Sequence, residues 1–299
     1  MGITINDVRF LLHPKCKGIS FSRTLTLGRL QWLVAPGAFA DETKARRLHT
    51  GTLPPDAFAD GFSEAFFRLL GAERTESMDV SDYEGATIVH DLNQPVPEQL
   101  KAKYSVVIDG GTLEHVFDFP TAVRNCMEMV EPGGHLISSC PTNNQMGHGF
   151  YQFSPELWFR VLSPENGFRI EHLLLYADSG GDSYEPWYEV SDPQEVQSRV
   201  TLTNALPAYL LVLARRVEVK EIFTTSPQQS DYQSTWASVK SAQGPAGGSV
   251  GTLKGAYRNL VPRSLRDLIF RVRYNARPTV RTEDLGELDA RHFKRFDPD

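Results

Sequence analysis

The sequence predicts an α/β protein built on an open, mostly parallel sheet with helices on both faces. Three observations predict it. Segments with strand patterning alternate with segments of helical spacing along most of the chain. The run "YSVVID" (104–109) is continuously apolar and β-branched, as a strand buried on both faces must be. Three strand-like segments, "ESMDV", "ATIVHD" and "YSVVID", each carry an aspartate at or beside the carboxyl end: Asp79, Asp91 and Asp109.

The elements follow in order. "INDVRFLLHPK" reads as a short N-terminal helix that Pro14 helps to end, within a segment spanning 1–22. "RTLTLGRLQWLV" (23–34) is a strand running into a turn at Gly28. Residues 35–56 are polar, with room for one short helix. Residues 57–72 place apolar side chains at 58, 62, 66, 69 and 70, a helical spacing closed by Gly71. The three aspartate-ended strands come next. Asp118 and Pro120 then open a helix that runs to about Val130 and stops at Pro132-Gly133-Gly134. "GHLISSC" is a strand, "SPELWFRVLS" a helix, and "RIEHLLLYA" and "PAYLLVLARRV" two further strands.

Beyond this main domain (23–223) the composition changes. Residues 224–251 hold only Asp231 and Lys240 as charges and read as a flexible linker. In the extension 252–299, residues 262–278 read as a basic helix. Leu265, Leu268, Ile269 and Val272 lie on one face, and five arginines accompany them. Such a helix docks on its own domain, a partner or an anionic surface.

The 299 residues carry a net charge of −6, which argues against general nucleic-acid binding. No apolar run approaches the ~20 residues of a membrane span, and no secretory signal is evident at the start, so a cytoplasmic location is expected. Cys16, Cys126 and Cys140 are far apart and match no metal-ligand spacing. Cys126 and Cys140 read as core residues.

In an open parallel sheet, ligands bind beyond the carboxyl ends of the strands. Carboxylates there accept hydrogen bonds from ribose hydroxyls or an exocyclic amine, and they also cap turns. On "YSVVIDGGTLEHVFDFPTAVRNCMEMVEPGGHLI" the chain resembles the second half of a class I S-adenosylmethionine-dependent methyltransferase. Leu113, Glu114, His115 and Val116 match that family's turn after the fourth strand, and Pro132, Gly133 and Gly134 match its turn into the fifth. "SMDVSDYEGATIVHDLNQPVP" resembles its second and third strands. The resemblance covers roughly residues 20–218.

The resemblance implies an open seven-stranded sheet with an antiparallel last strand, and S-adenosylmethionine as cofactor across the ends of the first four strands. By position, Gly28 lies in the first turn and Asp79 binds the cofactor ribose. Asp91 sits near the adenine, with Leu92 against the ring. Asp109, Gly110, Gly111 and Thr112 lie near the methionine moiety. The family's Gly-x-Gly-x-Gly turn is represented here by "LTLGRLQWL", where only Gly28 is glycine and Arg29, Leu30 and Gln31 follow. The interval from Gly28 to Asp79 is also long for one strand-helix-strand step, as an added helix or lid from 35–56 would make it.

Two histidines are candidates for the base that methyl transfer to oxygen or nitrogen requires. His115 follows the fourth strand; His148 is flanked by Gly147 and Gly149 after the fifth. Both also have local structural readings, as turn or loop fasteners. Asn143, Asn144, Tyr151 and Gln152 suit a polar acceptor such as a sugar. Tyr184, Trp187 and Tyr188, with the carboxylates of 178–193, suit carbohydrate or amine recognition, and equally a surface loop. No metal is expected, since adjacent residues on one turn rarely converge on an ion. The expected activity is methyl transfer to a polar small molecule, a sugar or glycan precursor among them. A non-catalytic protein on the same fold and a sugar-nucleotide enzyme of another α/β class stand as alternatives.

Overall fold

The computed structural model describes residues 2–48, 53–54, 56–180, 184–232, 279–282 and 285–298. The strands are β1 (Gly2–Ile3), β2 (Arg23–Leu27), β3 (Gln31–Trp32), β4 (Arg74–Asp79), β5 (Ile88–Val89), β6 (Tyr104–Asp109), β7 (Val130–Asn143), β8 (Phe168–Ala177), β9 (Trp187–Val190), β10 (Ala208–Arg216), β11 (Thr279–Thr282), β12 (Gly286–Asp289) and β13 (Phe293–Phe296). The α-helices are α1 (Ile5–Cys16), α2 (Pro36–Ala45), α3 (Glu64–Leu69), α4 (Phe119–Met129), α5 (Pro155–Val161) and α6 (Pro193–Val196).

Nine strands form the main sheet, in the order β13-β9-β8-β10-β7-β6-β2-β4-β5. The half made of β5, β4, β2, β6 and β7 is all parallel. Its order reverses between β2 and β6, which places the topological switch point there. β10 enters antiparallel between β7 and β8. Seven of these strands follow the order that the resemblance implies, with β10 antiparallel to both of its neighbours. Two strands extend it beyond the expected seven: β9 and β13 add antiparallel at the β8 edge. They cover backbone that would otherwise stand open on a long edge.

Both faces of the sheet are buried because alternate residues supply two cores. Leu25, Val107, Leu136, Leu173 and Val212 pack against α4 and α5 on one face. Val106, Ile108, Ile137, Leu174 and Leu211 pack against α1 and the Phe66–Phe67 pair on the other. Cys126 and Cys140 are fully buried in the first of these cores. α4 begins at its Asp118 cap, whose carboxylate accepts the Thr121 N–H. It ends where β10 delivers Arg216, whose guanidinium donates to the Glu128 and Val130 carbonyls.

Several elements depart from expectation. α1 runs on past Pro14, which sits in its last turn. The 57–72 helix shortens to α3, and the third strand to Ile88–Val89. β7 continues through Pro132-Gly133-Gly134 because Val130 already pairs with Tyr104. The extension, expected to be helical, is β-structured where described: β11 pairs β12, and β13 joins the main sheet. The helix expected over 262–278, with its partner or anionic-surface contact, and most of the 224–251 linker lie outside the described residues. Among the described residues, no helix is long and apolar enough to cross a membrane.

Candidate functional site

A cavity of about 350 Å³ opens at the carboxyl ends of β6 and β7, next to the switch point. The Gly110–Gly111 turn lines one side, and Glu114, His115 and His148 line another. The N-terminal segment closes it with Thr4, Asn6 and Asp7, and the β8 and β10 side contributes Tyr176, Asp178 and Tyr209. No lysine or arginine is among these residues.

The turn after β6 is built on Asp109. Its carboxylate accepts the Thr112 N–H at 2.8 Å, the Leu113 N–H at 3.3 Å and the Ser138 hydroxyl at 2.7 Å. Asp109 is 1% exposed, so its acceptor capacity is spent inside the protein. Thr112 ties the switch point together by donating its hydroxyl to the Leu27 carbonyl at 2.8 Å. Gly111 has φ +93°, a left-handed conformation that favours glycine.

Glu114 is likewise 1% exposed, but neither carboxylate oxygen has a hydrogen-bond partner. Burial, and then the charge of Asp109, push the Glu114 carboxyl up to about 8. Burial raises Asp109 as well, but its hydrogen bonds favour the ionised form. The His148 Nε2 stands 3.4 Å from Glu114 Oε1, and the His115 and His148 rings are 5.0 Å apart, edge to face. Burial and the neighbouring His148 lower the pKa of His115, which favours the neutral imidazole at neutral pH.

The loop carrying His148 is anchored to Glu114. The Phe150 N–H donates to the Glu114 carbonyl at 2.7 Å. Gly149 has φ +73°, and a Cβ there would stand 2.7 Å from that carbonyl oxygen. Only glycine permits so close an approach.

The remaining sequence-derived candidates divide. Gly28 makes a left-handed turn (φ +71°), its N–H donating to the Met78 carbonyl. The next positions are filled by working side chains. Arg29 pairs with Glu64 and Asp60, donates to the Glu84 carbonyl and lies over the Phe62 ring. Leu30 is buried against Gly110, where a Cβ would come within 2.9 Å of it. Asp79 stands at the end of β4, its carboxylate accepting the Ser81 N–H at 3.4 Å. Asp91 holds the backbone and side-chain amides of Asn93, which keep its carboxyl below the usual range. Leu92 is 5% exposed and packs in the core.

The substrate candidates face other parts of the chain. Asn143 and Asn144 bind Asn204, and Asn144 also reaches the Leu206 carbonyl. The Tyr151 hydroxyl donates to the Phe117 carbonyl, and the Gln152 side chain accepts the Gln145 N–H. Trp187 is fully buried, with the Arg9 guanidinium 4.5 Å over its ring and Phe10 at its edge.

Sequence reasoning passed over Asp7, Tyr176 and Tyr209. β1 pairs in parallel with β3, and this brings the start of α1 to the cavity. There Thr4 and Asp7 form a reciprocal cap, leaving Asp7 Oδ1 without a hydrogen-bond partner. The "TIND" at the start of the helix carries that capping signal, but not the place where it docks. Tyr176 and Tyr209 stack across β8 and β10 with centroids 5.4 Å apart.

No protein-family model and no curated protein matches this chain. Among solved structures it is similar to the N-methyltransferase NodS from Bradyrhizobium japonicum WM9 in complex with S-adenosyl-L-homocysteine. That likeness has 15% identity and a TM-score of 0.39, and covers 71% of this chain and 86% of that one. It is similar to an S-adenosylmethionine-dependent methyltransferase from Mesorhizobium loti, at 15% identity and TM-score 0.37, covering 68% and 96%. It is also similar to the branched-chain polyamine synthase from Thermus thermophilus, at 15% identity and TM-score 0.37, covering 76% and 60%.

Proposed function

We propose that the chain transfers a methyl group from S-adenosylmethionine to a polar small molecule held in the cavity beside the switch point. The observation that carries this is the cavity itself. A glycine turn at the end of β6 lines it together with a buried carboxyl and two imidazoles. The residues at the strand ends fit the cofactor. Gly110 and Gly111 present bare backbone, and the Asp79 carboxylate keeps capacity for two ribose hydroxyls. Arg29 and Leu30 occupy the room that glycines would leave after β2, so cofactor contacts fall to the ends of β4 and β6.

The bound cofactor supplies an electrophilic methyl group. His148 or His115 takes the proton that the acceptor hydroxyl or amine loses, the lowered pKa of His115 keeping its imidazole neutral for that task. Asp7, Asp178, Tyr176 and Tyr209 offer hydrogen-bond acceptors and ring faces to a hydroxyl-rich or amino-bearing molecule such as a sugar. Among the described residues no lysine or arginine lines the cavity, which disfavours a phosphorylated acceptor.

The test is incubation of the full chain with methyl-labelled S-adenosylmethionine and a panel of neutral sugars, amino sugars and their phosphates. Label is expected in a neutral or amino-bearing member and not in the phosphates. Label in phosphates alone would contradict the assignment of the acceptor.

A further inference from the structure

We propose that Glu114, His115 and His148 form a binding site for a divalent transition-metal ion. The inference goes beyond the methyl-transfer reading and does not depend on it, because the three side chains alone define the site.

Their ligating atoms all lie within 4.8 Å of one another, two imidazoles and one carboxylate. That donor set suits zinc, iron(II) and cobalt(II), and leaves further positions open. The contact between His148 Nε2 and Glu114 Oε1 has the right length. At 3.4 Å it makes no hydrogen bond. Two ligand atoms each about 2.1 Å from a tetrahedral ion stand about 3.4 Å apart.

Glu114 supplies the independent observation. A carboxyl 1% exposed with both oxygens unpartnered is costly to bury, and it lines a cavity open to solutes. A cation between it and the two imidazoles accounts for that placement. The backbone holds the arrangement in register: Glu114 uses its carbonyl to fix the loop that carries His148, through the Phe150 N–H and the close approach of Gly149. Glu114 and His115 are adjacent in the sequence and His148 lies far along it; the loop seat joins them. Asp178 adds a further carboxyl to the lining, and no lysine or arginine competes there among the described residues.

The open positions of the ion would face the cavity. With the ion bound, both imidazoles are ligands and acidifying an acceptor oxygen falls to the ion. Without it, either imidazole is free to take the proton.

The test uses the full chain, stripped with chelator and titrated with Co²⁺ while visible absorption and heat are recorded. One equivalent is expected, with the d–d bands of a four- or five-coordinate site and displacement by Zn²⁺. Glu114→Gln and His148→Ala are each expected to weaken binding more than about tenfold. His90→Ala, a half-buried histidine outside the cavity lining, is expected to leave it unchanged. Absence of stoichiometric binding, or affinity retained in His148→Ala, would overturn the proposal. His148 is half exposed, so this variant decides the matter even where Glu114→Gln does not fold. S-adenosylmethionine titrated into the same samples reports separately on the methyl-donor site.

Discussion

His148→Ala is expected to lower methyl transfer by about 10²–10⁴-fold while leaving cofactor affinity unchanged. The imidazole lines the cavity against Glu114, where it is placed as the base for the acceptor, so its loss is expected on the acceptor side. The substitution is mild for the fold. The side chain is half exposed, and the loop is held by backbone contacts from Phe150 and Tyr151 to the Glu114 carbonyl. Transfer kinetics and calorimetry on the same preparation separate the two quantities. Unchanged turnover would remove His148 from the chemistry; a parallel loss of cofactor binding would mean that the loop shapes the donor site.

Asp109→Ala is expected to destabilise the protein by about 3–5 kcal/mol. The carboxylate serves two backbone N–H groups and the Ser138 hydroxyl, all at the end of the central strand. Truncation leaves these donors buried without partners, at about 1–3 kcal/mol each before relaxation. Asp109→Asn keeps an acceptor for the two N–H groups and turns an amide towards a hydroxyl that can accept from it. Its cost is expected to stay near about 1 kcal/mol. Denaturant unfolding measures both. A stable Asp109→Ala variant with impaired cofactor binding would instead return this residue to direct contact with the ligand.

Much of the fold was legible because burial on both faces leaves a strong trace. "YSVVID" reads as a central strand, and β6 occupies those residues. Asp118 and Pro120 mark the start of α4 because a cap and a first-turn proline act locally. β13 was not legible. "FKRF" places its two phenylalanines around Lys294 and Arg295, without the alternation of a strand, and only pairing with β9 makes it one. The short β5 was over-read because "ATIVHD" has strand composition over more residues than find a partner.

The site was legible in part. The Gly110–Gly111 turn, His115 and His148 were singled out from their places after strands, and all four residues line one cavity. The polar residues around His148 were read as ligand-facing because composition does not show direction. Asn143 and Asn144 instead fasten the 204–206 segment, and Trp187 fills the core. Asp7 was invisible because its contribution depends on α1 docking over the carboxyl ends of the sheet. Glu114 was seen as a turn residue. What distinguishes it, a carboxyl buried without partners, is a property of packing and not of sequence.

The central claim is that this sheet holds S-adenosylmethionine at its switch point although Arg29 and Leu30 replace glycines. Calorimetric titration of the full chain with S-adenosylmethionine and S-adenosylhomocysteine, alongside Asp79→Asn, tests it most directly. The Asp79 side chain makes one long hydrogen bond within the protein, so the variant is expected to fold normally. The predicted result is saturable binding of both ligands, with a dissociation constant on the order of micromolar, that is lost in the variant. A folded protein that binds neither ligand would contradict the account.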